Sequence, residues 1–167
     1  MGFNEWVVEP VKRNVVTPFM QVLRGGIAPA VLTLSVAVGV AGGIFPIPGI
    51  TTAIALGLAL PFGNNVNKVI VTVANLLCTI PDVLLMPAFI AIGSWVLGSP
   101  STVAVDTILV KLREDLLGAL SAFSTTLLRG VLGWVVVLPL IIAVVYISFL
   151  PLAKLLVQNM ANVGHER

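Results

Sequence analysis

Asp82 and Asn75 are the side chains in this 167-residue sequence whose setting most invites chemistry, because each interrupts an apolar run. Asp82 is the single charged residue between Lys68 and Asp106. An ionised carboxylate in hydrocarbon is costly unless it is paired, so its position points to ion or proton handling, with Lys68 or Arg129 as the candidate cation. A plainer role fits it equally. Between Pro81 and Val83 it could cap a helix, its charge meeting the positive helix end. Asn75 sits between Ala74 and Leu76, where a carboxamide can hydrogen-bond across helices. Asn64, Asn65 and Asn67 gather upstream, as turn formers or as partners of a lipid headgroup. Asp82, Asn75, Asn64 and Asn65 together form a candidate polar lining.

Other chemistries lack their parts. The one histidine, His165, lies three residues from the end of the sequence, so no Ser-His pair or zinc site can be assembled from apolar segments. Cys78 stands alone in an apolar run, which fits a small packing residue and forbids an internal disulfide. Gly39, Gly42 and Gly43 do not have the spacing of a phosphate-binding loop. A formal charge of +2 is too small and scattered to grip nucleic acid. The expectation is a non-catalytic protein with no metal, no cofactor and no nucleic-acid partner.

The elements that hold these side chains belong in a membrane. Apolar residues make up 58% of the chain and charged ones 10%, against roughly 25% charged in soluble domains. A domain this small cannot bury so much apolar surface. Charge is absent from residues 25–67, 69–81, 83–105 and 130–153. A helical span needs about 20 apolar residues, and 27–45 and 130–153 meet that length. Trp134 and Tyr146 are candidate interface anchors of the second span, which Lys154 ends.

Between these spans the chain is broken. Phe45-Pro46-Ile47-Pro48-Gly49 must stop the first helix, since each proline removes a donor and restricts the residue before it. The freed carbonyls and amides make this either a tight turn or a binding point built on half-helix ends. Ile50 to Pro61 is too short to cross a bilayer. Val69 to Leu97 is interrupted at Pro81, Asp82 and Pro87 and reads as half-helices over 69–80 and 83–97, with Gly98 as the terminal glycine. Ser35, Gly39 and Gly43 recur at four-residue intervals, as do Ala53 with Gly57 and Ala55 with Ala59. Such rows let helices approach, within the chain's own bundle or in a homo-oligomer.

Residues 3–24 and 101–129 alternate polar and apolar residues at helical spacing and read as amphipathic helices on the membrane surface, the first kinked or divided by Pro10 and Pro18. If 46–49 and 81–82 are tips of re-entrant hairpins, Lys12, Arg13, Arg24, Lys68, Lys111, Arg113 and Arg129 share one side, against Lys154 and Arg167. The domain reading is an amphipathic helix over 1–25, a broken-helix core over 26–98, a second amphipathic helix over 99–129, a transmembrane helix over 130–154 and a polar tail over 155–167.

The run from Val38 through Phe45-Pro46-Ile47-Pro48-Gly49, with Thr52-Ala53-Ile54-Ala55-Leu56, Asn64 or Asn65, Asn75, Gly93 and Leu97-Gly98, resembles the membrane domain of domain-of-unknown-function family 2062. The resemblance covers about residues 28–98. It implies a membrane domain found in bacteria and photosynthetic eukaryotes, at times joined to a glycosyltransferase, with no assigned biochemical role. In that family a proline commonly follows the second asparagine; here Leu76 follows Asn75, and the proline comes at Pro81.

The expected fold is an all-α membrane protein with three or four embedded helical segments, proline-broken and re-entrant half-helices among them, plus two amphipathic interfacial helices. The expected location is a bacterial inner membrane or an organellar membrane such as that of a plastid. Two functions follow from the breaks and the apolar faces. In the first, the chain handles a lipid headgroup or small solute where the helix breaks meet. In the second, it is a structural subunit docked in a larger membrane complex or a homo-oligomer, with membrane lipids around it.

Overall fold

The computed structural model describes residues 17–98 and 124–165, and all regular structure among them is helical. In chain order they form α1 (Thr17–Arg24), α2 (Pro29–Gly43), α3 (Thr51–Ala59), a 3-10 helix (Leu60–Asn65), α4 (Lys68–Leu77), α5 (Thr79–Val96) and α6 (Ser124–His165). Residues 1–16, 99–123 and 166–167 lie outside the described residues, and the first two stretches hold most of both expected amphipathic helices. What is described of the first is helical over Thr17–Arg24.

Local chemistry sets the ends. Pro29 opens α2, where a missing N–H costs nothing. The proline ring at position 46 would clash with the carbonyl four residues back, at Gly42, so α2 closes at Gly43. Gly49, at φ 92°, supplies the left-handed step that lets the chain reverse into α3. Asn67 caps α4 with its side-chain oxygen, which accepts from the N–H of Val69 at 3.0 Å and of Ile70 at 3.4 Å. Gly98, at φ 62°, ends α5, its N–H donating to the Trp95 carbonyl.

The second break departs from expectation. The half-helices do not divide at Pro81; α4 ends and α5 begins around Cys78. A proline disturbs the carbonyl four residues upstream of itself, here Leu77, and its own missing N–H is harmless in a first turn. The break therefore falls one turn before the proline. Asp82 consequently lies inside the first turn of α5 rather than at its cap, a position held by Cys78 without a side-chain cap bond.

Which residues touch fixes the direction of each helix. Ser35 meets Asn67, Gly39 meets Val71 and Gly43 meets Asn75, so α2 and α4 run parallel. Leu32 packs with Ala153 and Phe149, while Ala41 meets Trp134, so α2 and α6 are antiparallel. Phe89 meets Gly133 and Gly93 meets Arg129, so α5 is also antiparallel to α6. It follows that α5 continues in the sense of α4. The pair is one kinked path, not a hairpin, and the expected second re-entrant tip at Pro81–Asp82 is replaced by a bend. α2 and α3 do form a hairpin: Gly42 abuts Ala55 near the turn, and Val38 packs with Ala55 and Ala59.

Lys68 and Lys154 accordingly lie toward one end of the helical stack and Arg129 toward the other. The grouping of Lys68 with Arg129 on one side is thereby lost, and with it the seven-against-two split. α6 continues past both expected boundaries, from Ser124 through Lys154 to His165, with Pro139 and Pro151 inside it. Its stretch Thr126–Met160 is long and apolar enough to cross a membrane, and none of its most apolar window is buried within the chain. α2, α4 and the Leu84–Val96 part of α5 are shorter apolar helices.

Candidate functional site

The α2–α3 turn is where the helix breaks leave polar backbone atoms to be satisfied. In an uninterrupted helix the Ala41 carbonyl would take the N–H of Phe45. Here Phe45 donates to Gly42 instead, at 3.3 Å, and Ile44 to Val40 at 3.1 Å. The orphaned Ala41 carbonyl is taken by the indole of Trp134, Nε1 donating at 2.9 Å. Trp134 is 5% exposed and stacks edge-on against Phe45, ring centroids 4.9 Å apart and planes at 89°. It is not the interface anchor its sequence position suggested, because its one donor is used inside the protein. Pro46 is buried and faces Gly130, while Ile44, Phe45, Ile47 and Cys78 join Phe89 and Trp134 in one apolar cluster. Pro48 and Gly49 are at the rim of the turn, half-buried and exposed.

Behind this tip lies a polar pair. Asn75 is 1% exposed, and its Oδ1 accepts a hydrogen bond from the Thr52 hydroxyl at 2.8 Å. Among the described residues its Nδ2 is buried and has no hydrogen-bond partner. Gly43 makes the arrangement possible, since a Cβ there would come within 2.8 Å of the Asn75 carbonyl oxygen and within 2.8 Å of the Cys78 Cβ. The ends of α2 and α4 thus meet, and Thr52, in the first turn of α3, reaches across to them.

The four expected lining residues are not gathered in one place. Asn64 and Asn65 are exposed in the 3-10 segment, before the start of α4, while Asn75 lies about 12 Å along α4 from its cap Asn67. Asp82 has its backbone in the first turn of α5, and its side chain lies outside the described residues. Asn67 is a helix cap whose N–H also donates to Ser35 Oγ at 2.7 Å, and Ser35 in turn donates to the Val31 carbonyl at 2.6 Å. The row Ser35, Gly39, Gly43 is covered by α4 of the same chain. Of the rows on α3, Ala55 and Ala59 are buried, whereas Ala53 and Gly57 are exposed.

Sequence reasoning passed over Thr52 and the inward role of Trp134. One signal could have found the second: two prolines free a carbonyl at known positions, and tryptophan is a donor with nothing to accept. Nothing local marks Thr52, because its partner is 23 residues away.

A family model described as an uncharacterised protein conserved in bacteria, DUF2062, matches residues 13–161, well beyond the broken core on both sides. No curated protein and no solved structure matches the chain.

Proposed function

The chain belongs to the family of uncharacterised proteins conserved in bacteria, and we propose that it is a non-catalytic integral membrane protein whose hairpin tip handles a small polar group, a lipid headgroup or a solute. Membrane insertion is supported by the surface. Leu60, Leu77, Leu84, Trp95, Leu128 and Ile147, on the 3-10 helix, α4, α5 and α6, are each more than two-thirds exposed. A buried core helix would not explain α6, whose most apolar window contains no buried residue. Arg129 and Lys154, 25 positions apart in α6, are separated by about 37 Å, which brackets a hydrocarbon core of about 30 Å.

In this reading α6 and the kinked α4–α5 path cross the bilayer, and the α2–α3 hairpin enters from the Lys154 side and turns back beside Gly130, close to the Arg129 boundary. Its non-helical turn is covered by α5 and α6, which shield it from lipid. The observation that carries the reading is the buried Asn75 amide beside that turn with a donor unspent. An unpaired buried donor costs about 1–3 kcal/mol, a cost that function would explain and packing would not.

Purified protein in liposomes, assayed for movement of headgroup-labelled lipid and for solute uptake, tests it. Asn75→Leu should abolish the signal that the unaltered chain produces, and Gly57→Ala, on an open face of α3, should leave it unchanged. No signal from the unaltered chain, or equal signal from Asn75→Leu, refutes the proposal.

A further inference from the structure

The donors around the tip define what it would hold. α3 is nine residues long, and its N-cap, Ile50, makes no side-chain cap bond. The first amide of that turn to reach a backbone carbonyl is Ile54, bonded to Ile50 at 3.0 Å, so the N–H groups of Thr51, Thr52 and Ala53 open the helix without such a partner. A helix start alone is an ordinary feature. The second, independent feature is Asn75: its Oδ1 is tied by the hydroxyl of Thr52 in that same first turn, which fixes the carboxamide against the helix start and leaves Nδ2 unspent in a buried setting. Thr52 is the positioning residue of this arrangement. Gly49 and Ile50 are exposed and Thr51 is half-buried, so the start of α3 is open on its outer side, and Asn75, 1% exposed, lies directly behind it.

We infer that the first turn of α3 and the Asn75 amide form a receptor for a phosphate-type oxyanion, carried by a lipid headgroup or free in solution. The inference rests on the proposed polar-group site at the hairpin tip and names its ligand class. Backbone N–H groups at a helix start carry partial positive charge and point outward, and the amide adds two N–H donors from a second helix. Such a set attracts an acceptor with several oxygens and offers a metal cation nothing. Half-helices that aim their positive ends at anionic groups are the way broken-helix membrane proteins hold such ligands.

The test uses the full chain labelled with 15N-asparagine, its Asn75 side-chain signal identified by loss in Asn75→Leu. Inorganic phosphate is titrated in a zwitterion-free detergent, and separately the protein is placed in vesicles of phosphatidylglycerol or of a phosphate-free galactolipid. A shift of the Asn75 signal with inorganic phosphate identifies a free oxyanion as ligand; a shift in phosphatidylglycerol but not galactolipid identifies a headgroup phosphate. Thr52→Val should weaken either response roughly ten- to a hundredfold by releasing the amide. In Asn75→Asp, where the reporting amide is gone, binding is read from the 31P line width of phosphate and should be abolished, since a carboxylate repels an oxyanion.

Retained or strengthened binding in Asn75→Asp, or an Asn75 signal that neither phosphate nor phosphatidylglycerol moves, overturns the inference. If that silence accompanies a liposome signal still abolished by Asn75→Leu, the ligand class is wrong and the site stands. If Asn75→Leu leaves the liposome signal intact, the site itself fails. Asn75→Leu removes an unspent buried donor together with the acceptor of the Thr52 hydroxyl, and helical content by circular dichroism checks that this and every other variant folds.

Discussion

Trp134→Phe removes one hydrogen bond while keeping an aromatic ring against Phe45, so it measures what the helix break costs to repair. The indole donates to Ala41 at 2.9 Å from a site that is 5% exposed, and water cannot replace it. Interhelical side-chain bonds in membrane proteins average about 0.6 kcal/mol, because the separated helices find other partners. The Ala41 carbonyl has no such recourse: its intrahelical donor, Phe45, is spent on Gly42. Leaving it unpaired should cost nearer the full desolvation penalty, about 1–3 kcal/mol, to which the smaller ring adds a cavity term. The expected total is about 2–4 kcal/mol, read from denaturant titration in mixed micelles followed by circular dichroism. A double-mutant cycle isolates the bond. With Pro46→Ala the helix can continue, Phe45 can donate to Ala41, and Trp134→Phe should then cost about 1 kcal/mol less than in the unaltered chain. Equal costs in the two backgrounds would refute the argument that the proline break creates the need for the indole.

The remaining expectations concern packing and topology. Gly43→Ala should destabilise by about 1–3 kcal/mol, since the new methyl meets the Asn75 backbone and Cys78. Gly57→Ala, with open space around it, should stabilise α3 by about 0.5–1 kcal/mol in the same titration. Single cysteines at positions 65 and 98 in a Cys78→Ser background should label from opposite faces of oriented vesicles; labelling from one face would restore a hairpin at Cys78 and refute the kinked crossing. Pro81→Ala should let α4 and α5 join, seen as increased helicity and slower amide exchange at residues 77–79; no change would mean that the proline does not cause the break.

The helical content, the long apolar helix over 130–153 and the break at Phe45–Gly49 were legible in the sequence for a local reason. Charge, hydropathy and proline act on their own segment, so local composition alone stops α2 near Gly43. The small-residue row Ser35, Gly39, Gly43 was equally legible as a contact face, though its partner was not. Even the misplacement of the second break was a local error, since proline acts on the carbonyl four residues before it.

Other features depended on which residues meet across the chain. Sequence spacing could not say that Thr52 would reach Asn75, that Asn64 and Asn65 would stay apart from it, or that Trp134 would turn inward to Ala41. Nor could it say whether the chain folds back or runs on at Cys78. An apolar stretch carries no mark of direction, and the sense of α5 is set by its fit of Gly93 and Phe89 against Arg129 and Gly133 on α6. Local forces decide where each helix ends. Close packing between helices far apart in sequence decides which way each runs, and so which polar group is left inside with a hydrogen bond still to give.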